Sequence, residues 1–222
     1  MNVYFISGLG ADCRVFKNIQ LPDSYKAVHL EWIKPLAGES LADYALRLSA
    51  SIDTTQPFGL IGLSLGGMIA VEISKHKRAE WVVLISSIPV SNALPKYYQL
   101  GGKLGLHKII PISMLRQASF IKRFFSSEAG GDKALLREMI RNIDPDFLRW
   151  GMGAILGWRN ETIPPRLVHI HGSADRILPK RLVSPTHTIR GAGHLLVMSR
   201  ALEVSNILRA VLHPAEAVPS AS

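Results

Sequence analysis

The stretch Gly62-Leu63-Ser64-Leu65-Gly66 sets a serine between two glycines at a spacing that suits nucleophilic attack on a carbonyl. Such a serine must sit on a sharp turn between a strand and a helix, with its hydroxyl exposed. A side chain at position 62 or 66 would collide with the backbone of that turn. The following helix aims its first amides at a developing oxyanion. A serine also needs a base, and Gly191-Ala192-Gly193-His194 places a histidine in a glycine-rich loop. The base needs an orienting acid, and Asp175 closes the run His171-Gly172-Ser173-Ala174-Asp175. Each piece has an ordinary reading: a glycine-rich turn, a surface histidine, a turn aspartate. Their chain order, Ser, Asp, His, is the one used with this kind of elbow, so three separate positions agree.

The elements around these residues are consistent with that use. Uncharged runs at 3–6, 27–30, 58–61, 81–85 and 167–170, with a weaker one at 186–189, read as buried strands. The first ends in Gly8-Leu9-Gly10, the third in the Gly62–Gly66 motif, and the last two precede Asp175 and His194. Ser40 and Asp43 form a variant capping box before Leu41, Tyr44, Ala45, Leu48 and Ile52 at helical spacing. A helix is expected after Ser64, and another over 196–212. Strands alternating with helices predict right-handed crossovers and a parallel sheet. From 89 to 162 the strand rhythm stops. Met114, Leu115, Ala118, Ile121 and Phe125 fit one helix, and Leu135, Leu136, Met139, Ile140 and Ile143 a second. A third starts at Asp144-Pro145, an N-cap with proline at the first helical position. His169 and His171, two apart on one strand, read as satisfied core residues.

On Gly62–Gly66, on His171-Gly172 with Asp175 and Pro179, and on Gly193-His194, the sequence resembles the α/β-hydrolase family over residues 2–212. The resemblance implies an α/β fold with a mostly parallel sheet of about six strands flanked by helices, lacking the usual first two strands. It makes 89–162 a helical cap inserted between the fourth and fifth strands, on a core of 1–88 and 163–213, all one domain. It implies Ser64 as nucleophile, His194 as base and Asp175 as acid. The usual His-Gly of the oxyanion turn is replaced by Ser7-Gly8, so the Leu9 amide would pair with the Leu65 amide as donors. Only 18 residues lie between Asp175 and His194, so the helix normally found there should shrink to a loop. The implied chemistry is hydrolysis of a carboxylic ester through an acyl-enzyme, with no cofactor and no metal. Thioesters, amides and activated C–C bonds use the same groups.

Two other readings stay open. Gly8-x-Gly10 after the first strand, with Glu31 at the end of the second, makes most of a dinucleotide fingerprint of an oxidoreductase. Against it, the third glycine position is Cys13, and residues 11–19 make a poor helix. The other reading is a protein of this fold that binds a ligand without turning it over.

Composition limits the rest. With 222 residues, 47% hydrophobic and 19% charged, the chain is neither disordered nor collagen-like. No run approaches the ~18–20 apolar residues of a membrane span. The opening MNVYFISGLGAD lacks the basic start of a secretory signal. A lone Cys13 cannot form an internal disulfide, so a reducing cytoplasmic location is expected. The net charge is +9, but scattered, with no basic run of the kind that binds nucleic acid. Residues 89–162 carry 11 Lys and Arg against 6 Asp and Glu, together with large aromatics such as Tyr98, Phe147, Trp150 and Trp158. An apolar lining under a cationic exterior would suit a small-molecule ester whose acyl chain rides on an anionic carrier, an acyl-carrier protein or coenzyme A. The Ala/Ser/Pro tail after Pro214 is expected to be disordered.

Overall fold

The computed structural model describes residues 1–103 and 132–212. Six strands form one sheet: β1 (Asn2–Ile6), β2 (Lys26–His29), β3 (Phe58–Leu63), β4 (Val82–Ile85), β5 (Leu167–Gly172) and β6 (His187–Ile189). Their order is β2-β1-β3-β4-β5-β6, and every pairing is parallel. The central strands β1, β3 and β4 are apolar on both faces because both faces are covered, whereas the edge strand β2 is largely exposed. Tyr4, Ile6, Leu60 and Leu84 pack on one side, while Val3, Phe5, Ile61, Leu63, Val83 and Ile85 pack on the other. This period of two within uncharged runs is the sequence signature of a sheet sandwiched between helices.

The helices are α1 (Leu41–Leu48), α2 (Leu65–His76), α3 (Lys96–Lys103), α4 (Lys133–Asn142), α5 (Pro145–Gly157), α6 (Leu196–Ser199) and α7 (Ala201–Leu212). α1 and α2 share one core cluster with α5, and α6 and α7 contribute to the other. The Ser40 hydroxyl caps α1 by accepting from the Asp43 amide at 3.1 Å, and it donates to the Asp43 carboxylate at 2.6 Å. Asp144 caps α5 through the Asp146 and Phe147 amides, with Pro145 in the first turn, as its sequence predicts. α3, α4 and α5 lie between β4 and β5, and no strand occurs among the described residues of 89–162. The expected helix over Met114–Phe125, Lys122 and Arg123, and the tail after Pro214 lie outside the described residues.

Several expectations change in detail, among them the start of β4, which excludes Trp81. The helix expected to run through Ile52 stops at Leu48 and continues as a 3-10 turn, Ser49–Ser51, where the Ser49 and Ser51 hydroxyls bond back to the Leu46 and Leu48 carbonyls. The final helix is broken at Arg200 (φ −133°, ψ 32°), whose carbonyl accepts from the Val204 amide in the first turn of α7. β5 runs two residues past Ile170, because His171 and Gly172 pair with Thr188 and Ile189 of β6. No described helix is long and apolar enough to cross a membrane.

Candidate active site

Ser64 joins β3 to α2 with φ 52° and ψ −116°. A positive φ on a serine is strained by about 1–3 kcal/mol and persists only where the surroundings force it. Here the forcing is steric. A Cβ on Gly62 would run into the Gly66 backbone, and a Cβ on Gly66 into the carbonyls of Ile6 and Ser7. The two glycines therefore let α2 start directly over the end of β1. The turn is also pinned from β4. The Ser64 amide donates to the Ile85 carbonyl at 3.0 Å, and the Ser87 hydroxyl donates to the Ser64 carbonyl at 2.6 Å. Ser87 had no motif to announce it.

His194 brings its Nε2 to 3.0 Å from the Ser64 hydroxyl oxygen and its Nδ1 to 2.8 Å from Asp175 Oδ2. The other carboxylate oxygen, Oδ1, accepts from the Ile177 and Leu178 amides, each at 2.9 Å. Asp175 and His194 are each 5% exposed. Burial alone would push the Asp175 carboxyl up. The charge of His194, the hydrogen bonds from His171 and His194, and the Leu178 amide outweigh it and hold the group well below the usual carboxylate range. An ionised carboxylate can only accept, so the His194 proton sits on Nδ1. That leaves the Nε2 lone pair facing Ser64.

The turn after β1 lies against this serine, for a Cβ on Gly8 would be 3.4 Å from Ser64 Cβ. Neither the Leu9 nor the Leu65 amide makes a hydrogen bond among the described residues. Both residues also meet the helical insertion: α5 has a glycine at 151, where the Leu9 side chain occupies the space a Cβ would need and the Leu65 side chain would touch it at 3.5 Å. By contrast, Gly8 and Gly10 lead into a 3-10 turn of four residues, Cys13–Phe16, and not into the long helix whose N-terminus a dinucleotide phosphate requires.

A cavity of about 260 Å³ opens onto Ser64 and His194. Its walls come from Leu9 on the β1 turn and from the insertion, notably Tyr98, Ile140, Ile143, Met152 and Ile155. Apart from Ser64 and His194, Tyr98 carries the only polar side chain among its described lining residues. A larger groove of about 890 Å³ between residues 34–42 and α5 contains none of the three reactive groups.

The profile of the alpha/beta hydrolase family matches residues 7–207. The chain belongs to the α/β-hydrolase family. Among solved structures, this hydrolase-family chain resembles a thermophilic esterase from Thermogutta terrifontis at 17% identity and a TM-score of 0.72, over 96% of this chain and 90% of that one. It also resembles an esterase from Exiguobacterium antarcticum (16% identity, TM-score 0.73, 94% and 90% covered) and MenH from S. aureus (13% identity, TM-score 0.70, 96% and 94% covered). At such identities the likeness is one of fold. Among curated proteins, none matches the chain.

Behind the site of this α/β-hydrolase member, His169 and His171 are buried on β5 with exposures of 1% and 0%, as their spacing implies. Burial first, and then the neighbouring His171, push the His169 imidazole from its ordinary 6.5 down to about 4. Folded His169 thus stays neutral down to about pH 4, while the unfolded chain takes up that proton below about pH 6.5. Between those values the unfolded state binds more protons, so stability falls as pH falls. The expected loss from this one group between pH 7 and pH 4 is about 3 kcal/mol. Urea titrations at several pH values check this, since His169→Gln should flatten the slope by a comparable amount. A variant slope equal to the parent's would assign the acid sensitivity elsewhere.

Proposed function

We propose that the chain is a serine hydrolase that cleaves a carboxylic ester through an acyl-enzyme on Ser64. The observation that carries this is the linear contact from Ser64 through His194 to Asp175, at 3.0 and 2.8 Å, in a buried setting open to a cavity. In this reading His194 takes the Ser64 proton as the hydroxyl attacks the carbonyl carbon. Asp175 holds the tautomer and stabilises the imidazolium that forms. The tetrahedral oxyanion is received by the uncommitted Leu9 and Leu65 amides, one from the β1 turn and one from the start of α2, whose dipole adds to their effect. His194 then returns the proton to the departing alcohol and activates the water that releases the acyl group. Residues 89–162 act as the cap over a core of 1–88 and 163–213, and α4 and α5 supply the apolar wall against which the acyl chain lies.

The cavity favours an uncharged acyl chain, because burying an ion against such walls without a partner is costly. A thioester, including one carried on coenzyme A or an acyl-carrier protein, suits the same chemistry if the acyl chain enters the cavity and the anionic carrier stays outside. The exposed cations described on the insertion include Arg149 and Arg159, on and just after α5, which line the larger groove.

The test is steady-state hydrolysis of short p-nitrophenyl esters beside an anionic thioester series at 50 and 500 mM salt. Turnover of the neutral esters is expected, with little salt dependence. If outer cations steer a carrier, kcat/KM for the anionic thioester should fall about tenfold, because the Debye length shrinks from ~14 to ~4 Å. An equal salt response of both series would sink the carrier. Binding without turnover of any ester would favour the ligand-binding alternative.

A further inference from the structure

Asp175 is held by more than its triad partner. His171 Nε2 lies 2.7 Å from the Leu178 carbonyl and 3.3 Å from Asp175 Oδ2, both acceptors. That nitrogen therefore carries the ring proton. His171 Nδ1 is then the acceptor at 3.2 Å from His169 Nε2, so His169 donates to it. The acceptors at His171 Nε2 fix its tautomer, and His169, whose ring also meets the Ser87 backbone, supplies the matching donor at Nδ1. The result is one chain of five groups, the buried His169, His171, Asp175 and His194 and the half-buried Ser64.

We propose that His171, oriented by His169, is a positioning residue for the Asp175 carboxylate. This rests on the triad reading given above. The two backbone amides hold Oδ1 only, so coupled rotation about the two side-chain bonds, pivoting on Oδ1, still lets Oδ2 shift. The His171 Nε2–H, whose hydrogen bond at 2.7 Å goes to the Leu178 carbonyl, also stands 3.3 Å from Oδ2, a second and longer contact there beside the 2.8 Å bond from His194. If His171 served only to satisfy the Leu178 carbonyl, His169 would have no part in it. Two buried imidazoles would then stand where apolar side chains fill the same space at lower cost. The linked pair ensures that the proton faces Asp175 and not the β5 core.

Removing this second contact loosens Oδ2, misaligns His194 and slows the chemical step while leaving the cavity intact. His171→Leu should lower kcat about tenfold to thirtyfold per active site, with KM within about twofold of the parent. Active sites are counted by fluorophosphonate titration, so a loss of folded protein does not register as a loss of rate. His171→Gln keeps an N–H within reach and should recover kcat to within about threefold of the parent. The low-field proton resonance of His194 Nδ1–H should broaden in the leucine variant and return in the glutamine one.

A folded His171→Leu protein with parental kcat per titrated site overturns the proposal. If that variant does not fold, ring nitrogen shifts of the 15N-labelled parent decide, and a His171 protonated on Nδ1 overturns it. Ser64→Ala in the same assay separates the two levels. Activity that survives there refutes the triad itself, whereas activity lost there but unaltered in His171→Leu refutes only the role of His171.

Discussion

Ser64→Ala should abolish labelling by a fluorophosphonate probe and lower kcat by about 10⁴ to 10⁶, because triad members act as a unit. The parent should take up one phosphonyl group, on Ser64. The substitution is a clean one in this fold. Ser64 precedes α2 but makes no side-chain cap bond to it, so alanine removes no capping interaction. Alanine also keeps the backbone strain at φ 52° unchanged, and the steric fit of Gly62 and Gly66 does not depend on the hydroxyl. The hydroxyl contact removed is the one to His194 Nε2 at 3.0 Å. The unfolding midpoint in urea should therefore stay close to the parent's while activity disappears. Labelling that persists in the variant would place the nucleophile elsewhere.

Much of this site was legible in the sequence because its constraints are local and steric. Glycines at 62 and 66 are forced by backbone atoms that would occupy the place of a Cβ, so the five-residue motif carries its own geometry. Asp144-Pro145 is equally local, since the cap and the ring act on the next turn. The sheet was legible too, because strands buried on both faces appear as uncharged runs. Features that depend on distant partners were not. Arg200 carries neither glycine nor proline, so nothing in the periodicity of 196–212 marks the break that separates α6 from α7. Trp81, apolar and next to a strand, was expected to belong to it. It lies just outside β4, and its ring covers Gly59 of β3, where a Cβ would collide with it. His169 and His171 were readable as core histidines from their spacing. That His171 reaches Asp175 depends on the path of the 172–178 loop, which brings the carboxylate back beside β5. Ser87 is likewise tied to Ser64 only through the parallel neighbour relation of β3 and β4.

Asp175→Asn should cripple turnover by about 10⁴ in kcat with little change in KM, for a reason written in its hydrogen bonds. Oδ1 accepts from two backbone amides, Ile177 and Leu178, so the asparagine carbonyl must take that position. The NH2 group then falls where Oδ2 was, facing His194 Nδ1 and His171 Nε2. Both nitrogens carry protons in the parent. Next to an amide donor, His194 must lose its Nδ1 proton and hold one on Nε2 instead, pointing at the Ser64 hydroxyl. In that tautomer it cannot accept the serine proton, so attack fails although every heavy atom is in place. His171 cannot relieve its own conflict in the same way, because its Nε2–H is also held by the Leu178 carbonyl at 2.7 Å. The amide thus still faces the His171 N–H, one donor against another, and the variant should be less stable as well as slow. Asp175→Ala separates these effects, since it leaves His194 free to choose its tautomer and should retain more activity than the asparagine variant. Activity in Asp175→Asn close to the parent's would mean that a group other than Asp175 orients the base.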